Sequence, residues 1–572
     1  MSDGIAAASA LRVSVVYQRH VLHHGVGRPY AAHGRSGGHR ITWNDVIRND
    51  ARDAGGGTRR RPQGPAAAVP SVMWARSVVR PLLRAPLARV SVRPLRRYAS
   101  SGPPTWNDAI PLPCVDQHEL RERRVMAGSA RADAAADEEL EMLGPEPSYT
   151  KVVSGYRVFR HNQDLRLDYG NVLSGFQIAY ETWGELNAAR DNVILLHTGL
   201  SASSHAASTP ENTAKGWWED FIGPGKALDT SKFFVICTNV LGSCYGSTGP
   251  SSPHPRDPTG APYATRFPIL SIFDMIRAQF LLLDHLGIER LYASVGSSMG
   301  GMQSIAAAHL FPERVARVVS ISGCARSSPS GIALRFAQRS VLMADENWNR
   351  GFYYGADRVP PHKGMKLARQ IATITYRSGP EWEQRFGRQR RHLLRDGESP
   401  SQRAPALCPD FLVETYLDHQ GEQFCLKYDA NSLIYISKSM DLFDMTDDAL
   451  AELAETRMQA HGDDGHLPIE TAHNRPRRPS RPHITTISHP GAHAYVPSLM
   501  RGLSRLHAVP VLILGVQSDI LFPVEQQREM AECLRMNGNP NVMYYEIDAP
   551  HGHDSFLIDV ANVGGALKGF LN

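Results

Sequence analysis

From about residue 145 onward, short and almost continuously apolar runs punctuate the chain. They are Phe176–Glu181 (FQIAYE), Asn192–His197 (NVILLH), Phe233–Thr238 (FFVICT), Leu291–Val295 (LYASV), Val315–Ser322 (VARVVSIS), Val511–Leu514 (VLIL) and Val542–Ile547 (VMYYEI). Runs of this kind, lacking polar alternation, are what strands buried on both faces of a parallel sheet show. Helical stretches separate them, at Phe273–Leu286 and at Met299–Leu310, the latter stopping at Phe311-Pro312. Strand and helix in alternation predict an α/β protein with a mostly parallel, doubly wound sheet. The first two runs lie close together, which predicts an antiparallel edge hairpin between them.

Two blocks break the alternation. Residues 326–445 are mainly helical and aromatic and fall before the last core strands, where an insertion becomes a lid over the carboxyl ends of the sheet. Residues 446–500 begin as a charged helix and dissolve into Pro, Arg, His and Thr, so 462–498 reads as a flexible surface loop. The core is thereby expected in two parts, 147–325 and 501–572. A total of 572 residues also exceeds the size at which single cores stop growing, about 250–300 residues.

Charge changes the picture at the amino terminus. Residues 1–98 hold 17 arginines and no lysine against 4 aspartates and no glutamate, a net of +13. The rest of the chain holds 45 basic and 53 acidic residues, a net of −8, so its overall balance offers no basic field for nucleic acid. Within the leader, 73–98 is rich in Arg, Ser and Ala and free of acids, as a mitochondrial transit peptide is, and Arg96-Arg97-Tyr98 resembles a matrix-processing site. Import into the mitochondrial matrix is the expectation: protein sequencing should find a mature amino terminus near Ala99, and a start at Met1 would defeat it. Seven cysteines without a CxxC pair suggest a reducing compartment and no structural metal, and no apolar run is long enough for a membrane span.

The candidate chemistry is concentrated at three places. Gly296-Ser297-Ser298-Met299-Gly300 follows the strand LYASV and precedes a helix, the strand–turn–helix setting of a Gly-x-Ser-x-Gly nucleophile elbow. Ser298 is the candidate nucleophile, and the Met299 N–H at the helix start is a candidate oxyanion donor. In such a sheet the chain order is serine, then acid, then histidine. Asp519 lies just past VLILG and His553 just past VMYYEI, both at carboxyl ends of core strands. His551 competes for the role of base and spacing does not exclude it; Asp519 would otherwise cap a helix. The loop after NVILLH supplies the second oxyanion donor, nominated as the Leu200 N–H, while His197 and His205 are expected to hold that loop. These residues give acyl chemistry through a serine ester, without saying what receives the acyl group.

Several ordered blocks carry a resemblance. Gly296-Ser297-Ser298-Met299-Gly300-Gly301-Met302-Gln303, Gly242-Ser243-Cys244-Tyr245-Gly246-Ser247-Thr248-Gly249-Pro250, Tyr180-Glu181-Thr182-Trp183-Gly184, Ala337-Gln338-Arg339 with Trp348, Lys427 to Ser432, and Gly552-His553-Asp554-Ser555-Phe556-Leu557 are similar to the signatures of the homoserine O-acetyltransferase family. Ser297 departs from it, standing where the common signature has Gly. The blocks 266–296 and 321–327 and the leader resemble most the fungal mitochondrial serine O-acetyltransferases. The resemblance implies the α/β-hydrolase fold and a ping-pong reaction in which Ser298 takes the acetyl group from acetyl-CoA and passes it to L-serine, giving O-acetylserine for cysteine synthesis. It implies Asp519 and His553 as triad partners, Asp554 for the substrate ammonium, and Arg339 for the substrate carboxylate or coenzyme, or else only a lid salt bridge. It further implies acetyl-CoA as co-substrate with no bound cofactor, and a homodimer. Transfer to L-homoserine is the alternative acceptor, and a serine esterase or thioesterase the alternative class.

Overall fold

The computed structural model describes residues 153–355, 358–390, 407, 409–462 and 493–572. The leader, with its expected transit peptide, lies outside the described residues, as does much of the 446–500 insert. Eight strands form the main sheet: β1 (Arg157–Arg166), β2 (Val172–Trp183), β3 (Val193–His197), β4 (Phe234–Thr238), β5 (Ala293–Ser297), β6 (Val318–Ile321), β7 (Val511–Val516) and β8 (Val542–Ile547). Their order is β1-β2-β4-β3-β5-β6-β7-β8. The strands from β4 to β8 pair in parallel, and only β2 runs against its neighbours.

The expected hairpin between the first two apolar runs does not form. β4 inserts between β2 and β3, and the hairpin partner of β2 is β1. β1 reads RVFRHNQDLR and leaves most of its side chains exposed or half-buried, so no apolar run announces it. β4, buried over its last four residues, gains more from two flanking strands than an edge position would give.

β3 and β7 are buried at every position, which explains their almost wholly apolar sequences, while β5, equally buried, reads ASVGS and is made of small residues around Val295. Helix α1 (Ile272–His285) opens with a capping box in which the Ser271 side chain and Asp274 satisfy each other's backbone N–H groups. Helix α2 (Met299–Leu310) is buried throughout, and its small residues let it lie close against the sheet. A Cβ on Gly301 would stand 2.7 Å from Ser320 Oγ.

Between β6 and β7 run α3 (Pro329–Met343), α4 (His362–Tyr376), α5 (Gly379–Phe386), α6 (Leu412–Cys425) and α7 (Ala430–Asp441). Leu342, Met365, Ala368 and Leu433 from these helices share an apolar cluster with Tyr245 of the core. Helix α8 (Asp447–His461) is anchored by the buried Arg457, whose Nη1 donates to the Arg166 carbonyl at 2.7 Å and pairs with Asp168 at 3.2 Å. Residues 463–492 lie outside the described residues. Helix α9 (Val496–Gly502) takes up part of the stretch read as flexible loop, because Val496 and Leu499 belong to the main core. Helices α10 (Val524–Met536) and α11 (Val560–Leu571) complete the layers. Among the described residues no helix is long and apolar enough to cross a membrane.

Candidate active site

Ser298 stands between β5 and α2 with φ +59° and ψ −124°. A side chain in that region costs on the order of 1–3 kcal/mol and persists only where its surroundings dictate it. Two glycines dictate it here. A Cβ on Gly296 would lie 2.1 Å from the Gly300 carbonyl oxygen, and one on Gly300 would lie 2.3 Å from that of His197. The turn is therefore too tight for any other residue at either position, and Ser298 is lifted above the sheet.

A continuous chain of hydrogen bonds runs from that serine. His553 Nε2 is 2.8 Å from Ser298 Oγ, and His553 Nδ1 is 2.6 Å from Asp519 Oδ2. The other carboxylate oxygen of Asp519 accepts the N–H groups of Leu521 at 2.9 Å and Phe522 at 2.8 Å. Asp519 does not cap the helix that follows, which begins after Pro523; it bonds the turn before that helix and orients the imidazole. The ring of His553 stacks on Phe522 at 5.1 Å and meets the edge of Phe556 at 5.3 Å. All three residues are buried. His551 points elsewhere, with Nδ1 3.8 Å from Glu381 Oε2, and does not reach the serine.

The nominated oxyanion donors flank the nucleophile. Met299 opens α2, so its N–H is one of the helix's unsatisfied donors. A Cβ on Gly199 would be 3.9 Å from that of Ser298, which brings the loop carrying Leu200 alongside, and Tyr428 Oη holds the loop through the Leu200 carbonyl at 2.9 Å. His205 fixes the same loop, with Nδ1 2.8 Å from Glu181 and Nε2 2.9 Å from the Ala214 carbonyl, and the buried His197 bonds Ser294 at 2.8 Å.

Ser298 and His553 open into a cavity of about 290 Å³. Leu200, Trp217, Met440, Leu521, Phe556 and Leu557 give it an apolar lining. Its polar wall is Arg335, Gln338, Arg369 and Asp554. Asp554 is 3.5 Å from Arg377, and burial pushes its carboxyl above the usual range. Arg339 lies outside this wall: it pairs with Asp441 and donates to Ser437 at 3.2 Å, as a lid salt bridge would.

The sequence of residues 192–560 matches the model of the α/β hydrolase fold. The chain is 54% identical over 518 residues to a serine O-succinyltransferase of Emericella nidulans, covering 86% of this chain and 95% of that one. It is 37% identical over 421 residues to a homoserine O-acetyltransferase of Moorella thermoacetica, covering 73% and 95%. The crystal structure of homoserine O-acetyltransferase from Bacillus anthracis superimposes with a TM-score of 0.58 at 26% identity, over 73% of this chain and 98% of that one. The chain belongs to the homoserine O-acyltransferase family. It is accordingly a transferase built on the α/β-hydrolase fold, as its motifs and sheet order indicated.

Two cavity residues of this acyltransferase escape a reading of the sequence. Arg369 on α4 has Nη1 3.5 Å from Tyr376 Oη and packs over the ring of Phe424, yet no carboxylate pairs with it among the described residues. Arg335 lies one turn before Arg339 on α3, so helical spacing from the Ala337-Gln338-Arg339 block was the signal that could have found it. Arg369 had no such signal, since one arginine in a basic helix stands out only when the cavity beside it is known.

Proposed function

We propose that the protein is an L-serine O-acyltransferase that works by a ping-pong mechanism through an ester on Ser298. The observation that carries this is the chain Asp519–His553–Ser298 opening on a cavity that holds Arg369, a guanidinium with no carboxylate ion-pair partner among the described residues, and a carboxylate, Asp554. In the first half, His553 Nε2 takes the Ser298 proton as Oγ attacks the thioester carbonyl of an acyl-CoA. The Leu200 and Met299 N–H groups receive the oxyanion, and Asp519 stabilises the imidazolium. The C–S bond breaks, and the departing thiolate takes the proton from His553.

In the second half, an amino acid sets its carboxylate on Arg369 and its ammonium on Asp554. Its hydroxyl gives a proton to His553 and attacks the ester carbonyl. Ser298 Oγ leaves with that proton, and the O-acyl amino acid is released. The apolar lining around the ester disfavours water as the competing acceptor, which supports transfer over hydrolysis.

The acyl group is proposed to be succinyl, on the strength of the relative named serine O-succinyltransferase at 54% identity. Acetyl-CoA, the donor implied by the sequence motifs, is the second reading, supported by the relatives named homoserine O-acetyltransferase. Serine and homoserine differ by one methylene, which a pocket separates by about 1–3 kcal/mol, so the acceptor preference is one of degree. Purified protein is given succinyl-CoA or acetyl-CoA with serine, homoserine or no acceptor, while free thiol is followed. Serine with succinyl-CoA is expected to give the highest kcat/KM. Preference for homoserine reverses the acceptor, and bulk thiol release without any acceptor makes the protein a hydrolase.

A further inference from the structure

Helix α3 presents Arg335 and Arg339 one turn apart, and both reach the same acid at the end of α7. Arg335 Nε donates to Asp441 Oδ1 at 2.6 Å, and Arg339 Nη2 donates to Asp441 Oδ2. All three side chains are buried, at 4%, 8% and 2% exposure for Arg335, Arg339 and Asp441. The remaining bonds go to neutral hydroxyls: Arg335 Nη2 to Ser327 at 3.1 Å and Arg339 Nη1 to Ser437 at 3.2 Å. Arg335 Nη1 has no hydrogen-bond partner among the described residues.

Guanidinium groups stay protonated at any working pH, so two cations here share one carboxylate and the cluster carries a net +1. A buried charge left uncompensated costs several kcal/mol. Arg339 is withdrawn behind the wall, whereas Arg335 lines the cavity beside Gln338 and Met440, together with Ser298 and His553. The uncompensated charge therefore faces the cavity, and an anion placed there completes the cluster.

The reaction proposed above supplies such an anion if the acyl group is dicarboxylic. After the first half, the Ser298 ester keeps the free carboxylate of the acyl chain inside the cavity. The amino acid then enters with a carboxylate of its own. Two anions in one buried space repel unless each has its own cation, and the cavity wall offers two guanidiniums, Arg369 and Arg335. With Arg369 beside Asp554 taking the amino acid, Arg335 is left for the acyl chain. We propose that Arg335, its charge left over from the shared Asp441, is the residue that selects a donor with a terminal carboxylate. This rests on the acyltransferase reading of the same site.

The test compares kcat/KM for succinyl-CoA and butyryl-CoA, which carries the same number of acyl carbons without the terminal charge, at saturating serine. Because a ratio cancels the fraction of active protein, partial misfolding of a variant does not enter it. The wild type is expected to favour succinyl-CoA roughly 10- to 150-fold, the range of a hydrogen bond to a charged group, and Arg335→Met to bring the ratio within about threefold of unity. Arg335→Lys, which keeps the charge without the fork, should fall between. Equal use of the two donors by the wild type overturns the proposal without any variant. An equal loss for both donors in Arg335→Met also overturns it, assigning Arg335 to coenzyme phosphate or to lid packing. Transfer of neither group to any amino acid by the wild type removes the acyltransferase reading and this proposal with it.

Discussion

At the scale of single residues, the geometry around His553 decides which proton moves. Asp519 accepts two backbone N–H groups on Oδ1, so only Oδ2 faces His553 Nδ1. In Asp519→Asn the amide oxygen would keep the backbone bonds and turn its NH2 toward the ring. Nδ1 would then have to accept, and Nε2 would carry the proton where it should be taking one from Ser298. A fall of about 10⁴ in kcat is expected, the size found for this exchange in serine-protease triads. The substrate KM should stay nearly constant. Steady-state kinetics would show this, and a variant within tenfold of wild type would remove Asp519 from the proton path.

At the scale of elements, the β5–α2 elbow is held by contacts no cap or propensity supplies. Gly300→Ala would press a methyl group to 2.3 Å from the His197 carbonyl oxygen at the end of β3, so the helix must retreat from the sheet. The expected cost is about 1–3 kcal/mol or more, with loss of acyl-ester formation as Ser298 moves. Gly565→Ala is the comparison, since a methyl group there meets nothing within 4 Å on an exposed part of α11. Its stability should rise by up to about 1 kcal/mol. Thermal melting of the two variants reads both, and an equal effect would show that elbow packing is not what requires Gly300.

At the scale of the whole molecule, burial of ionisable groups sets how stability follows pH. Burial pushes the imidazoles of His197 and His309 down to about 3, so both are neutral in the folded chain. Unfolded, they would take up protons near pH 6.5. Their contribution is full above that value and is lost as pH falls toward 3. Burial and the neighbouring Asp168 push Asp274 the other way, so its contribution is lost as pH rises. Melting temperature is expected to drop between pH 7 and 4.5, with a shallower slope for His309→Gln. An unchanged slope would show that His309 is not among the groups responsible.

The lid and the catalytic loop also meet at this scale. Ser378, between α4 and α5, donates to the Pro550 carbonyl, and a Cβ on Gly552 would lie 2.6 Å from the Tyr376 carbonyl. The end of α4, the helix that carries Arg369, therefore also braces the turn that presents His553.

The apolar strands and the helices beside them, the sheet class, the elbow with Ser298 and the candidate acid Asp519 were readable from the chain alone. The reason is local. A buried parallel strand is made mostly of apolar and small residues, and a tight turn before a helix must carry glycine at set positions, so each leaves its mark within a few residues. His553 over His551, the insertion of β4 between β2 and β3, and the cavity wall of Arg335 and Arg369 were decided only by the fold. Each depends on which distant segments become neighbours: α3 against α7 makes two arginines share Asp441, and β8 against β7 sets the imidazole over its acid. Charge balance within a buried cluster is a property of that encounter, and no stretch of sequence contains it.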